Sequence, residues 1–139
     1  AKINGMESRE EVEPFKLLYF EDNPANLVLV EDILTDYPEV KLFTATHAKI
    51  GINMALSLKP NLILMDINLP DIDGIEALKR LRNFEETHAT PVVAISANAM
   101  KKDIDRAMAE GFKAYITKPI NIGKFRKFIE EELKSSSVY

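Results

Sequence analysis

The segment LILMDINLPDIDG, residues 62–74, contains a strand-length run of apolar residues that ends on an aspartate, Asp66. A carboxylate is costly to desolvate, so it is an unexpected residue at the end of a strand that is apolar on both faces. Asn68 follows two residues later, and Gly74 closes the segment. The stretch predicts a buried strand with an acidic group at its carboxyl end. The role of that group depends on which other residues lie near it in the fold.

Short apolar runs recur along the chain and alternate with stretches of helical periodicity. Five strands are predicted, over residues 15–20, 40–45, 61–65, 91–96 and 113–117. Five helices are predicted between and after them, over Pro24 to about Thr35, Ala48–Leu58, Ile75 to about Phe84, Ala99–Glu110 and Asn121–Leu133. The last helix has an apolar stripe predicted to face the core, formed by Ile122, Phe125, Ile129 and Leu133.

Strict alternation of strands and helices predicts a parallel sheet, and strands that are apolar on both faces require helices on both sides of it. The predicted fold class is therefore α/β, a doubly wound (βα)5 three-layer sandwich of the flavodoxin-like type. For five strands the common order is 2-1-3-4-5, which places a ligand crevice at the carboxyl ends of the first and third strands.

Composition and charge restrict the classes of function. The chain has 139 residues, of which 46% are hydrophobic and 29% charged, as expected of one globular domain. A net charge of -4 disfavours direct binding to nucleic acid. The absence of cysteine excludes disulfides and thiolate metal sites, and no apolar stretch reaches the about 18 residues of a membrane span. We predict a cytoplasmic protein without a membrane span.

The ends of the chain differ in composition from its middle. Residues 1–14 carry four glutamates and little apolar periodicity, so they are predicted to be a polar leader or linker. Residues 15–133 form the predicted domain, and residues 134–139 a tail. We therefore expect no DNA-binding or enzymatic output domain within this chain, and expect its output to pass through protein contacts or through domains of a longer parent.

Acidic residues are predicted to meet at the switch point of the sheet. Glu21 and Asp22 follow the first strand, and Asp66 follows the third. Two unit charges about 4 Å apart repel by about 4 kcal/mol at an effective dielectric near 20, so such a cluster favours a bound cation or a retained proton. Because the candidate ligands are all hard oxygens, Mg²⁺ is the predicted ion, with Mn²⁺ as a substitute.

Two further groups lie at the ends of the remaining strands. Ser96 closes the fourth strand, and Lys118 follows the fifth. A carboxylate nucleophile, a divalent cation, a hydroxyl and an ammonium suit phosphoryl transfer, which requires positioning and charge neutralisation more than covalent machinery. Asp66 is the predicted acceptor and would form an acyl phosphate.

Four motifs occur in the order FEDN (20–23), MDINLPDIDG (65–74), AISANAM (94–100) and AYITKP (114–119). Together they closely resemble the response-regulator receiver domain of two-component signalling, over roughly residues 15–133. No motif is decisive alone, but four in this order, each at the end of a predicted strand, are highly specific. The resemblance implies phosphorelay signal transduction, in which Asp66 accepts a phosphoryl group from a histidine kinase or a histidine phosphotransfer protein.

The resemblance also implies a metal-ligand set. Asp22 and Asp66 would bind Mg²⁺ directly, the backbone carbonyl of Asn68 would supply another ligand, and Glu21 would act through a bound water. Glutamate at position 21, where the family more often has aspartate, is a common variant.

The same resemblance assigns a role to three residues beside the metal site. Ser96, a common variant of threonine, would follow the phosphoryl oxygen, and Lys118 would pair with it. Tyr115 would be the switch aromatic whose rotation reports activation. Pro119 occupies a position where the family commonly has a cis peptide bond.

The implied function is a phosphorylation-dependent switch. Phosphate on Asp66 would change partner binding through the face formed by the fourth helix, the fifth strand and the fifth helix. Such a protein catalyses its own Mg²⁺-dependent phosphotransfer and slow dephosphorylation, but it is not a turnover enzyme. The downstream partner is unknown, a monomer or weak homodimer is expected, and both a single-domain regulator and a receiver of a hybrid histidine kinase fit.

Two other classes of protein fit part of the pattern. A phosphatase of the haloacid dehalogenase type also uses an aspartate nucleophile, Mg²⁺, a hydroxyl and a lysine. Its general-acid aspartate, two residues after the nucleophile, is replaced here by Asn68, and its nucleophile follows the first strand rather than the third. A docking module with a broken acceptor site is the third class, but no site residue is missing. The sequence therefore favours a phosphorylation-dependent switch over both a phosphatase and a docking module.

Each candidate also has a purely structural interpretation. Asp66 could be a turn aspartate, and Lys118 a solvated surface lysine. The convergence of four such groups on one edge of the sheet favours a functional site. His47 and His88 lie apart from the acidic cluster in sequence and are predicted to be surface residues.

Overall fold

The structure is a computed structural model that describes residues 13–136. The strands are β1 (Phe15–Phe20), β2 (Val40–Ala45), β3 (Leu62–Asp66), β4 (Val92–Ser96) and β5 (Ala114–Thr117). The helices are α1 (Pro24–Leu34), α2 (Ala48–Leu58), α3 (Gly74–Arg82), α4 (Lys101–Glu110) and α5 (Ile122–Ser136). Most of the predicted leader, residues 1–12, and the last three residues of the predicted tail lie outside the described residues.

The five strands form one parallel sheet in the order β2-β1-β3-β4-β5, which confirms the predicted topology. The register pairs Phe20 with Met65 and Asp66 with Ile95. The carboxyl ends of β1, β3 and β4 therefore lie side by side at one edge of the sheet.

Helices cover both faces of the sheet, as the strand composition predicts. Leu18 and Phe20 of β1 pack with α2, α3 and α4 on one face. Leu17 and Tyr19 pack with α1 and α5 on the other. Because side chains alternate along a strand, successive residues of β1 contribute to opposite halves of the core. The predicted three-layer α/β sandwich is confirmed.

Several element boundaries differ from those predicted. Helix α3 begins at Gly74 and ends at Arg82, and α4 begins at Lys101, two residues later than predicted. Asn121 caps α5, since its side chain accepts a hydrogen bond from the Lys124 amide at 2.9 Å. Helix α5 then continues to Ser136, which lies in the segment predicted to be a tail.

The prediction that Ile122 faces the core is wrong, because its side chain is 52% exposed. Ile122 is the first residue of α5, and the buried residues of this helix, Phe125 and Ile129, lie further along it. Ile120 of the preceding loop is buried in the core there. Phe125 and Ile129 are buried as predicted, and Leu133 is partly buried.

The loop between β3 and α3 is fixed at both ends. Asp71 accepts hydrogen bonds from the backbone amides of Ala48 and Lys49, each at 2.9 Å, and so caps the N-terminus of α2. A Cβ atom on Gly74 would lie 2.8 Å from the backbone Cα of Ile67, so this close approach requires glycine. The loop that follows Asp66 is therefore held against both α2 and α3.

A second set of contacts joins the end of α1 to α5. The Tyr37 hydroxyl donates to the Glu130 carboxylate, and Arg126 pairs with Asp36 at 2.7 Å while lying over the Tyr37 ring. None of the helices within residues 13–136 combines the length and the apolar character needed to cross a membrane.

Candidate functional site

Two candidate site residues, Glu21 and Asp22, lie in the junction between β1 and α1. Glu21 is completely buried directly after β1, whereas Asp22 is exposed. Asn23 then caps α1 by accepting a hydrogen bond from the Ala25 amide at 2.8 Å, and Pro24 occupies the first turn. The strand thus ends abruptly, which leaves two consecutive carboxylates at the edge of the sheet.

Asp66 is the last residue of β3 and is only 5% exposed. One carboxylate oxygen accepts a hydrogen bond from the Asn68 amide at 2.9 Å. The other lies 2.8 Å from the ammonium of Lys118. A buried carboxylate needs such partners, because leaving it unpaired would be strongly unfavourable.

The structure brings together the three carboxylates that the sequence predicts. Glu21, Asp22 and Asp66 each offer an oxygen, and these oxygens all lie within 4.8 Å of one another. Three carboxylates and the Lys118 ammonium leave a formal charge of about −2, which one divalent cation would neutralise. The donors are all oxygens, and one acid is exposed, so the chemistry fits a hard cation that retains some water, such as Mg²⁺.

Lys118 joins the two buried acids. Its ammonium lies 3.0 Å from Glu21 and 2.8 Å from Asp66, and its side chain is 16% exposed. Burial by itself lowers the pKa of the Lys118 ammonium, but its hydrogen bonds and charge interactions with Asp66 and Glu21 outweigh burial and raise the pKa above its usual value. The Lys118–Pro119 peptide bond is cis, as the resemblance implies.

Tyr19 belongs to the site but was not among the residues predicted from the sequence. Its hydroxyl donates a hydrogen bond to Oε1 of Glu21 at 2.7 Å, and both residues are completely buried. Burial and the negative charge of Glu21 raise the pKa of the Tyr19 phenol far above its usual value. A signal was available, because residues two apart on a strand point to the same side. Glu21 directly follows β1, and if the alternation continues for one residue past the strand, Tyr19 and Glu21 face the same side.

Ser96 and Tyr115 lie to one side of the acidic cluster. Ser96 is buried at the end of β4, and its hydroxyl accepts a hydrogen bond from the Asn98 amide at 3.1 Å. Tyr115 is partly buried and donates to the backbone carbonyl of Asn98 at 2.7 Å. A cavity of about 180 Å³ is lined by both residues and by Asn68. The two predicted switch residues are therefore linked through Asn98.

The remaining predictions concern residues outside the cluster. His47 and His88 are exposed, as predicted. Asp71 and Asp73 accept hydrogen bonds from backbone amides, and Asp73 caps α3 by accepting from the Glu76 amide at 2.9 Å.

The family model, the curated relatives and the solved structures that resemble this chain are all response regulators or receiver domains. The model of the response regulator receiver domain family matches residues 17–130. The polar-differentiation response regulator DivK of Brucella anthropi is 35% identical over 122 residues, which cover 86% of this chain and 97% of DivK. The chain thus spans nearly the whole length of this relative.

Two solved structures with the same fold are also similar in sequence. The receiver domain of the sensor histidine kinase PA1611 from Pseudomonas aeruginosa, with magnesium in its active-site cleft, superposes with a TM-score of 0.77 at 25% identity, over 87% of this chain and 98% of that one. The second structure is a co-crystal of the Saccharomyces cerevisiae histidine phosphotransfer protein Ypd1 with the receiver domain of Ssk1. A chain of this structure superposes with a TM-score of 0.80 at 26% identity, over 93% of this chain and 95% of that one.

These similarities decide between the two phosphoryl-transfer classes that the sequence analysis considered. The family match covers most of the described chain, including all four strand ends that carry candidate site residues, and it supports the receiver over the haloacid dehalogenase type of phosphatase. By its sequence, its fold and the acidic cluster at its strand ends, this chain belongs to the response regulator receiver domain family of phosphorelay signalling proteins.

Proposed function

We propose that Asp66 is the phosphoacceptor of this receiver domain. The observation that carries the proposal is the position of its carboxylate, which lies beside two other acids and is hydrogen-bonded to Lys118 at 2.8 Å. A carboxylate oxygen would attack the phosphorus of a phosphohistidine. An O–P bond forms as the N–P bond breaks, and the imidazole leaves with the bonding electrons and takes up a proton.

The acidic cluster would hold the cation on which the transfer depends. Asp22 and Asp66 are proposed as direct ligands, Glu21 as a ligand through water, and the Asn68 carbonyl as a further ligand. When bound, Mg²⁺ or Mn²⁺ would neutralise charge on the transferring phosphoryl group. The exposure of Asp22 supports this assignment, because it leaves room for an ion that keeps part of its water shell.

Lys118 and Ser96 would act on the phosphoryl group after it arrives. The Lys118 ammonium is close enough to Asp66 to pair with a phosphoryl oxygen, and the Ser96 hydroxyl would donate to another. A movement of Ser96 toward the phosphoryl group would weaken the bond that its hydroxyl now accepts from the Asn98 amide. Since Tyr115 is bonded to the carbonyl of Asn98, this movement would be transmitted to the outer surface.

The output surface is proposed to be the face formed by α4, β5 and α5, with a protein as the downstream partner. A histidine kinase or a histidine phosphotransfer protein would supply the phosphoryl group, as the pairing of Ypd1 with the Ssk1 receiver domain suggests by analogy. The receiver unit is proposed to span residues 15–133. It would catalyse its own transfer and slow dephosphorylation, without behaving as a turnover enzyme.

Phosphorylation by a small donor tests the site assignment. Incubation of the chain with acetyl phosphate and Mg²⁺ is expected to add about 80 Da, the mass of one phosphoryl group, measured on the intact protein. Asp66→Asn should not gain this mass. Asp73→Asn, which alters a cap outside the cluster, is the matched control and should be labelled like the parent. Equal labelling of Asp66→Asn and the parent would contradict the assignment.

A further inference from the structure

Tyr19 contributes a hydroxyl to the floor of the acidic site, and the roles proposed above do not use it. Its ring is buried among the apolar residues that β1, β3 and β4 share with α1 and α5. The hydroxyl reaches out of this apolar layer to Oε1 of Glu21, 2.7 Å away. A hydrogen bond to a buried carboxylate is stronger than one at the surface.

Glu21 is restrained on both of its carboxylate oxygens. Oε1 accepts from the Tyr19 hydroxyl and lies 3.0 Å from the Lys118 ammonium, while Oε2 accepts from the Asn23 amide at 3.1 Å and from the Lys118 ammonium at 3.4 Å. A bound cation would affect these hydrogen-bond donors differently. Lys118 carries a positive charge and would be repelled by a divalent ion beside Asp66. The Tyr19 hydroxyl is neutral, so it would keep its hold on Oε1 when the ion binds.

We propose that Tyr19 is a positioning residue for the cation site and acts through Glu21. Its hydroxyl holds Oε1 at the floor of the site, which keeps the long glutamate side chain from closing onto the cation and sets the distance at which its carboxylate meets the ion's water shell. The inference rests on the proposed function, because it requires a cation between Asp22 and Asp66. Outer groups that orient a ligand typically change metal affinity by about 10- to 100-fold.

The role depends on glutamate at position 21. An aspartate side chain is shorter by one methylene, about 1.5 Å, so its oxygen would lie about 4 Å from the Tyr19 hydroxyl, beyond hydrogen-bonding distance. The effect of removing the hydroxyl should therefore disappear when Glu21 is replaced by aspartate. This dependence separates positioning of Glu21 from a general contribution of Tyr19 to packing.

The experiment is a double-mutant cycle read by calorimetric titration with Mg²⁺ alone, without any phosphoryl donor. Tyr19→Phe removes one hydroxyl and keeps the ring, and it is expected to weaken Mg²⁺ binding by about tenfold. In the Glu21→Asp background the same change should alter the affinity by less than about twofold. Tyr37→Phe is the matched control, because that tyrosine also donates to a glutamate, Glu130 of α5, which does not belong to the acidic cluster. It should leave Mg²⁺ binding unchanged.

The outcomes separate this inference from the proposed function. If the parent chain does not bind Mg²⁺, the proposed metal site is wrong and this inference fails with it. If the parent binds Mg²⁺ and Tyr19→Phe binds it equally well, only the role of Tyr19 is wrong. An equal loss of affinity in the parent and in the Glu21→Asp background would also overturn the inference, because it would show a packing effect.

A measurement on the unmodified chain keeps the inference testable if Tyr19→Phe does not fold. A hydroxyl proton held in a buried hydrogen bond exchanges slowly enough to be followed by nuclear magnetic resonance. The Tyr19 hydroxyl signal should shift during titration with Mg²⁺, while that of Tyr37 should not. A Tyr19 signal that stays constant while Mg²⁺ binds would overturn the inference.

Discussion

The positive charge of Lys118 partly neutralises the negative charge of the acidic cluster. Its ammonium lies between the buried carboxylates of Glu21 and Asp66, at 3.0 and 2.8 Å, and so provides the positive charge that these groups need when no cation is bound. The same charge opposes a divalent ion in the adjoining space. Lys118 is therefore expected to stabilise the fold and to weaken cation binding at the same time.

Lys118→Met should separate these two effects. Without Mg²⁺ the variant should lose about 2 kcal/mol of unfolding free energy, because two buried carboxylates lose a charged hydrogen-bond donor. Its affinity for Mg²⁺ should rise by about tenfold, because the competing charge is gone. Urea unfolding and calorimetry measure the two quantities. Lys113→Met, which removes an exposed lysine paired with Glu132, is the control and should change neither. Weaker Mg²⁺ binding by Lys118→Met would contradict this account.

The sequence predicts the charged residues of the acidic cluster, but it does not predict Tyr19, the neutral residue that is bonded to Glu21. Glu21, Asp66 and Lys118 stand out because charged residues at the ends of apolar strands are costly unless they are paired. Tyr19 does not stand out, because an aromatic residue in a strand is ordinary and its hydroxyl has meaning only once its neighbour is known. The strand alternation that would have linked Tyr19 to Glu21 is readable, but nothing in the sequence marks it as important.

Among the elements, the loop after Asp66 is tied to a helix that is distant in sequence. Asp71 serves as the cap of α2, whose own N-cap residue, His47, makes no capping hydrogen bond with its side chain. Burial raises the pKa of the Asp71 carboxyl, but hydrogen bonds from the amides of Lys49 and Ala48 outweigh burial and lower the pKa below 3.8. The ionised carboxylate is thus the form that joins the loop to α2.

The stability supplied by Asp71 should depend on pH in a defined direction. Its pKa is lower in the folded than in the unfolded chain, so its contribution is complete above pH 3.8 and is lost as the pH falls through the folded value. Asp71→Asn should cost about 1 kcal/mol at pH 7, as loss of a cap does. The difference from the parent should shrink below pH 3.8 in urea unfolding series. A difference that stays constant down to about pH 2.5 would contradict the role of the charge.

Helix boundaries depend on contacts that periodicity does not contain. Helix α4 begins at Lys101 rather than Ala99, because the Asn98 side chain accepts a hydrogen bond from the Met100 amide and forms a turn there. At the start of α5 the apolar stripe predicts a buried Ile122, but Ile120 of the loop occupies the core instead. Element type and order follow from composition, whereas the exact ends follow from local side-chain bonds and from the available space.

For the molecule as a whole, cation binding and folding should be coupled. The cluster that would bind the ion joins residues from the ends of β1 and β3, so it exists only in the folded chain. At a Mg²⁺ concentration of about 100 times the dissociation constant, the unfolding free energy should increase by about 2.7 kcal/mol. The melting temperature should rise accordingly.

Asp22→Asn provides the decisive comparison. Asp22 is exposed, so the substitution should leave the unfolding free energy without Mg²⁺ nearly unchanged, but it should abolish most of the gain on adding Mg²⁺. Asp105→Asn, another exposed acid, on α4, is the control and should keep the gain. An equal gain in Asp22→Asn and the parent would mean that the stabilising ion binds elsewhere.

The global topology was the easiest level to predict, for a physical reason. Parallel strands that are apolar on both faces need helices on both sides, and right-handed connections leave few arrangements of five strands. That arrangement alone brings the ends of β1 and β3 together, so Glu21 and Asp66 could be placed side by side from the sequence. The link from Ser96 through Asn98 to Tyr115 could not, because it depends on the path of a loop.

Strand β5 is four residues long and is an edge strand, because within residues 13–136 it pairs with β4 alone. A displacement of β5 would break few of the hydrogen bonds that join it to β4. Strand β5 lies two strand spacings, about 10 Å, from β3, whose last residue, Asp66, is the proposed phosphoacceptor. If Asp66 is phosphorylated as proposed, a small movement of β5 would be enough to change the outer surface that a partner protein would contact.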